Sequence, residues 1–466
     1  MRNKMNNIRT KITATVLTAL LTVSATAQSI RSSYFLETMP GRHKFNPAMT
    51  GNYGYVGFPA LSGISINAST NFGASTFFYP GEDGKLHNFL NQSVQADEFL
   101  GKLKNTSKLN MSIDMSIISA GFKAFGGYNT LDISLHTNTQ MQMPKELFEF
   151  FKVGRTNTTG ATQYDMSGVK AEASAYMDIA LGHARKINEQ WEVGAKIKGI
   201  IGIGHARADI SKLDVTMEQN RWIIESMGTV DISFPGIQPK TSISTDANGN
   251  VREVIDGFEM DGYSFGIQGG GIGFDLGAVY RPIKDLAISV AVTDIGFIHW
   301  KNNQSYKTLE DKIVYSGMDE TQESINGEDL VENFESLTKL EATDKSSINR
   351  ALRASLNIGA EYSFLNNIIS LGILSHSTFG SVTYTEGTFV ANIRAPKAFA
   401  MSLNGTISNM GGSFGALLNF CPKGFNFFVG VDCYPGLKVS PQFIPVNKLN
   451  ANLSLGLNFT FGEKVL

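Results

Sequence analysis

Two cysteines, three tryptophans and thirteen prolines in 466 residues are too few for a disulfide framework or a proline-rich linker. Charged residues make up only 18%, against roughly 25% in soluble domains. Beyond the N-terminal region no apolar run reaches the ~18 residues that a membrane helix needs. These shortages exclude a coiled coil, collagen, a disordered chain and a helical membrane protein. What is plentiful is 47 Gly, 31 Phe and 14 Tyr, a composition that suits many strands joined by turns. A large all-β chain remains, dissolved in water or set in a membrane.

The first residues bear on compartment. Arg2, Lys4, Arg9 and Lys11 precede an apolar stretch from Ile12 to Val23, and Ala25-Thr26-Ala27 places small residues before Gln28. This is the pattern of a secretory signal peptide over residues 1–27. A Gln and no Cys follows the cut, so no lipid anchor is expected. Removal takes four basic residues and no acidic ones, leaving a formal charge of −6. Nothing here fits a nucleic-acid partner.

Alternation with period two recurs down the chain. In the last segment Leu453, Leu455, Leu457, Phe459 and Phe461 fall on one face, and Asn452, Ser454, Gly456, Asn458 and Thr460 on the other. The same pattern reads as hairpins around 282–285, 365–367 and 186–190, with further strands at 62–78, 109–122, 131–141, 398–407, 413–420 and 425–432. Short turns (123–130, 186–190, 282–285, 365–367, 421–424) alternate with long polar loops near 79–108, 141–168, 211–262 and 301–350. That alternation predicts an antiparallel transmembrane β-barrel with short periplasmic turns and long external loops. Thirteen segments are clear. Bacterial barrels have even strand numbers, so a missed strand is expected within Ser381–Arg394, giving about fourteen. Trp191 and Trp300 are expected in opposite aromatic girdles.

On the polar face of these strands the inward-pointing charged candidates are Asp132, His136, Glu172, Asp178, Lys196, Lys198, Asp275, Arg281, Arg353 and Glu361. Such residues hold water in a permeation path or pair across a filled lumen. Pro144 to Phe151 predicts a short loop helix. Asp246 to Asn250 lacks the closing Glu of an EF-hand site and reads as a turn at Asn248-Gly249. Gly266 to Gly273 precedes a strand rather than a helix, so it marks close backbone approach and no phosphate site. Seven scattered His show no metal-ligand spacing, and no nucleophile, base and orienting acid assemble around Ser375 and His376. Neither a cofactor, a metal nor an enzymatic activity is expected. Cys421 and Cys433 read as thiols without a catalytic role, with Cys433 opposite a residue near Phe414.

Ser454, Gly456, Phe459 and Phe461 resemble the C-terminal signal read by the barrel assembly machinery, although five residues follow it. Asn46-Pro47-Ala48, Val193 to Lys198, Gly273 to Ala278 and Asp294 to Phe297 resemble the long-chain fatty-acid-transporter-like and type IX secretion-associated barrels of Bacteroidota. The mature chain is most similar to a Bacteroides-type outer-membrane barrel family of unknown function. The resemblance implies an N-terminal segment over 28–61, periplasmic or entering the lumen, with Asn46 and Pro47 as plug residues, and a barrel over 62–466. The resemblance supplies no substrate; the function expected first is a passive channel or transporter for a small, even hydrophobic, solute, its lumen blocked by the N-terminal segment around Arg42–Thr50 and opened at a gap in the wall. The alternative is a surface scaffold that docks a secretion component or a secreted surface protein. Outer-membrane lipid is the expected surrounding.

Overall fold

In a computed structural model of the chain, the residues described are 30–81, 84–156, 160–219, 221–245, 251–260, 266–308, 313–316, 340–395, 398–438 and 446–462. The expected signal peptide lies outside them, as does the turn at Asn248-Gly249.

Fourteen strands form one closed antiparallel barrel. β1 comes in two pieces, Gly54–Gly57 and Ile64–Thr70. It is followed by β2 (Thr106–Ala124), β3 (Gly127–Pro144), β4 (Val169–Lys186), β5 (Trp191–Met217), β6 (Gly269–Ile283) and β7 (Leu286–Trp300). β8 is also split, into Ile348–Ala351 and Ser355–Phe364. Then come β9 (Ile369–Thr378), β10 (Tyr384–Ala395), β11 (Phe399–Ser408), β12 (Gly411–Phe420), β13 (Phe425–Cys433) and β14 (Asn450–Phe461). Each strand pairs with the next, and β14 returns to β1 through Ile64↔Leu455 and Gly54↔Phe461. Closure removes every edge, as hydrocarbon requires of backbone N–H and C=O groups. The strand expected between 381 and 394 is β10.

Burial along the strands is inverted relative to a soluble protein. Asn392 and Ser402 are 0% exposed inside the barrel, whereas Ile373 and Phe389 on its outer face are 62% and 52% exposed. Left in water, each such side chain would forgo roughly 1.5–3 kcal/mol of burial. Acyl chains are the solvent that fits this surface, and the fold is a transmembrane β-barrel.

One end carries short turns. Phe125-Gly126, with φ of 56° and 71°, joins β2 to β3 with the left-handed backbone of a type I′ hairpin. The opposite end carries the long connections. There β5 runs past the barrel and pairs with Arg221–Ser233, which pairs in turn with Gln304–Thr308 and Ile313–Ser316. Ile237–Thr245, Val251–Met260 and Leu340–Thr343 extend this external sheet. The predicted loop helix spans Lys145–Val153 and packs on the rim, with Phe150 against Trp222 and Phe148 against Phe99.

Two expectations need correction. The barrel begins at Gly54 and not at residue 62, and β1 ends at Thr70, followed by a short helix at Ala74–Phe77. The alternation was hidden because residues 58–63 loop out of β1. Phe58 and Leu457 N–H donate to Leu457 and Leu61 carbonyls, while Ala60 and Ser116 N–H donate to Ile117 and Gly63 carbonyls, so both neighbours stay stitched at that loop. Second, Trp300 is not in a girdle. It is 1% exposed and stacks on His205 inside, while Trp191 sits outside on Tyr280. The cause is a bulge at Asp294, whose φ is 59° and where the β6–β7 register shifts. One extra residue exchanges the two faces of the strand beyond it.

Candidate functional site in the lumen

The N-terminal segment, a helical turn at Ile30–Ser33 and a 3-10 turn at Pro40–Lys44, lies inside the barrel. Leu36 and Met39 pack on Ala400, Leu417 and Phe428. Tyr34, Phe35, Ala48 and Met49 pack on Val279, Leu374 and Val390. Wall side chains donate to its backbone: Arg394 to the Phe35 carbonyl at 2.9 Å, Asn426 to Thr38 at 2.8 Å and Asn357 to Phe45 at 2.9 Å. A carbonyl in a segment without strand partners is satisfied by such side chains.

Asn46 and Pro47 sit in this segment against β5 and β6. The Asn46 side chain accepts from the Ala48 N–H at 3.0 Å, a local turn bond. The wall opposite is glycine. A Cβ on Gly277 would lie 2.0 Å from Asn46 Oδ1, and one on Gly194 would lie 2.3 Å from the Pro47 carbonyl carbon.

Above Pro40–Lys44 a ring of hydrogen bonds ties segment to wall. Lys196 Nζ donates to Asp132 Oδ2 at 3.1 Å and to His43 Nδ1 at 2.6 Å. His43 Nε2 meets Tyr55 OH at 2.6 Å, Tyr55 meets Ser119 at 2.7 Å, and Ser119 donates to Asp132 Oδ1 at 2.7 Å. Neutral His43 with its proton on Nε2 supplies every donor and acceptor of this circuit once. Burial, and then the Lys196 ammonium, lowers the His43 pKa from 6.5 to about 3, in agreement with the neutral form. Lys44 reaches the same Asp132 at 3.7 Å and bonds Ser116.

Further toward the long loops, Lys198 joins Asp275 at 2.9 Å and Asp294 at 2.6 Å. His136 joins Asp114 at 2.6 Å and Asp178 at 3.3 Å. These groups, with Arg353, Asn357, His376, Thr378 and Tyr384, line a cavity of about 210 Å³. The remaining sequence candidates lie elsewhere. Glu172 bonds Arg207 and Ser381, Arg281 pairs with Glu192 at 3.0 Å, and Glu361 pairs with Arg394 at 2.5 Å.

Four groups of the site were missed by the alternation: His43, Lys44, Asp114 and Asp294. Asp294 stands in phase with lipid-facing Val290 and Val292, and only the bulge turns it inward. His43 and Lys44 belong to a stretch without strand periodicity, so no sequence signal marked them.

On the last strand, Ser454 and Gly456 face the lumen, while Phe459 and Phe461 are exposed on the outer face. Cys433 pairs with Phe414 across β12–β13, and both cysteines are free thiols. Among the described residues no group of His, Cys, Asp and Glu is arranged to hold a metal ion.

A closed antiparallel barrel of fourteen strands, apolar outside and carrying its own N-terminal segment and an ion-paired chamber inside, defines the class. The chain belongs to the family of unknown function DUF5723, whose model matches residues 47–432. No curated protein matches it. Solved structures similar to it include the Ralstonia pickettii toluene transporter TbuX, with 10% identity, 95% of this chain and 97% of that one covered, and a TM-score of 0.41. The monoaromatic hydrocarbon channel CymD is 8% identical over 96% and 97% of the chains with a TM-score of 0.40. A Pseudomonas aeruginosa FadL homologue is 10% identical over 94% and 99% with a TM-score of 0.38. At these identities the likeness carries nothing about the solute.

Proposed function

We propose that the protein is an outer-membrane channel for a small water-soluble solute, closed at its short-turn end by its own N-terminal segment. The observation that carries this reading is the chamber of about 210 Å³ directly above that segment, lined by charged and hydroxylic side chains. Volumes of ~300–1,000 Å³ hold drug-sized ligands, so the solute is smaller. A lining of carboxylates, ammonium groups and amides favours a solute that keeps its hydrogen bonds over the hydrophobic one first expected. With short turns on the periplasmic side, the segment gates exit rather than entry.

Swelling of proteoliposomes in a graded series of neutral sugars and polyols tests the reading. Permeation of the smallest solutes, lost as size increases, is expected. The external sheet favours a second reading, a non-transporting scaffold that docks a surface protein. No permeation by any solute, even with the inner segment displaced, together with a co-purifying surface protein, would establish that role instead.

A further inference from the structure

The cations that line the chamber are not equivalent. Lys44 and Lys196 share Asp132, at 3.7 and 3.1 Å, and Lys198 holds Asp275 and Asp294. Arg353 has no carboxylate within 4.0 Å among the described residues. Its Nη2 donates to Thr378 Oγ1 at 2.7 Å and its Nη1 to Asn138 Oδ1 at 3.4 Å. Its buried Nε has no partner there. Half-buried on the chamber wall and hydrogen-bonded there only to neutral groups, the guanidinium keeps terminal N–H donors for the chamber, and an anion accepting from them supplies the charge partner that the wall does not.

The placement of Arg353 is also specific. β8 breaks between Ala351 and Ser355, and within the break the Leu352 N–H donates to Gly296 while the Ala354 carbonyl accepts from Phe379. The interruption keeps the wall sealed and sets Arg353 on the chamber. An irregularity of this kind re-aims a side chain without opening the sheet.

We propose that Arg353 is the anchor of a binding site for a small monocarboxylate in the chamber. This deepens the channel reading by naming its solute class. The planar fork of Arg matches a carboxylate through parallel N–H donors. The chamber already contains Asp114, Asp132, Asp178, Asp275 and Asp294. A second negative charge on the ligand therefore meets more repulsion than a first, which favours a monocarboxylate over a phosphate dianion.

Equilibrium dialysis of radiolabelled propionate against the full-length protein in detergent tests the site. Saturable binding is expected, displaced by other short monocarboxylates and not by propionamide or inorganic phosphate, and weakened at least tenfold in Arg353→Gln. Heat-modifiable gel mobility checks that the variant barrel is folded. On the unaltered protein, phenylglyoxal modification of Arg353, followed by mass spectrometry, is expected to slow when propionate saturates. Non-saturable propionate uptake, equal competition by propionamide, preference for phosphate, or modification of Arg353 indifferent to propionate would each overturn the proposal. Binding without permeation in the swelling assay would remove the channel reading and leave the site. Permeation without propionate binding would do the reverse.

Discussion

Replacing Gly194 and Gly277 together by Val should displace the inner segment while leaving the barrel closed. Both glycines point at one dipeptide. The new Cβ at 277 would stand 2.0 Å from Asn46 Oδ1 and 2.8 Å from Pro47 Cδ. At 194 the clash is with main-chain atoms, 2.3 Å from the Pro47 carbonyl carbon and oxygen and 2.5 Å from the Ala48 nitrogen. Main chain cannot rotate aside as a side chain can, so the segment must move as a whole. Overfilling a packed site costs ~1–3 kcal/mol. Because both substitutions press on the same two residues, ~3 kcal/mol is a fair figure for the pair, and it lowers the ratio of seated to unseated segment by about two orders of magnitude. The wall tolerates the change because Gly194 and Gly277 face each other across β5 and β6, a strand position where Val is favoured. The assay is liposome swelling with a small sugar, run beside limited proteolysis of the N-terminal segment. Faster swelling and earlier cleavage are expected in the double variant. A folded variant that swells no faster, with its segment still protected, would refute the view that this contact closes the lumen.

Asp132→Asn removes the only carboxylate that Lys44 and Lys196 share among the described residues. Stranding buried cations costs ~3–5 kcal/mol, so swelling should rise, and adding Lys196→Met should recover part of the closure. Acid should act through His43: its pKa is lowered when docked, so docking is unaffected above pH ~6.5 and weakens as pH falls from there toward 3, by up to ~1.4 kcal/mol per unit. The charged and titratable groups facing His43 are Lys196, Asp132, Lys44, Lys198 and Tyr55. Swelling that increases between pH 7 and 4.5 in the native chain and stays flat in His43→Asn is the expected result, and identical pH profiles would contradict it. On the lipid face, Leu455→Arg should destabilise the folded barrel in liposomes by ~2–4 kcal/mol, measured by urea unfolding. Asn452→Arg, pointing into the lumen on the same strand, should escape that penalty.

The chain's period-two alternation determined the barrel, thirteen of its strands and the side most of them turn to lipid, and the even-number rule added the fourteenth, because acyl chains and a polar lumen demand opposite chemistry from successive residues. Cys433 opposite Phe414, and Asp132, Lys196 and Lys198 turned inward, follow from that rule alone. The rule fails where a residue is added or removed. Residues 58–63 hid the start of β1, and the bulge at Asp294 moved Trp300 from the expected girdle to the interior. Nothing local marks such a bulge, since its cost is recovered by contacts with strands far away in sequence. The same holds for His43 and Lys44, whose partners Tyr55, Ser116, Asp132 and Lys196 come from four different strands. Which charges meet, which cation is left without a carboxylate, and what fills the lumen depend on the geometry of closure, and only the folded barrel decides them.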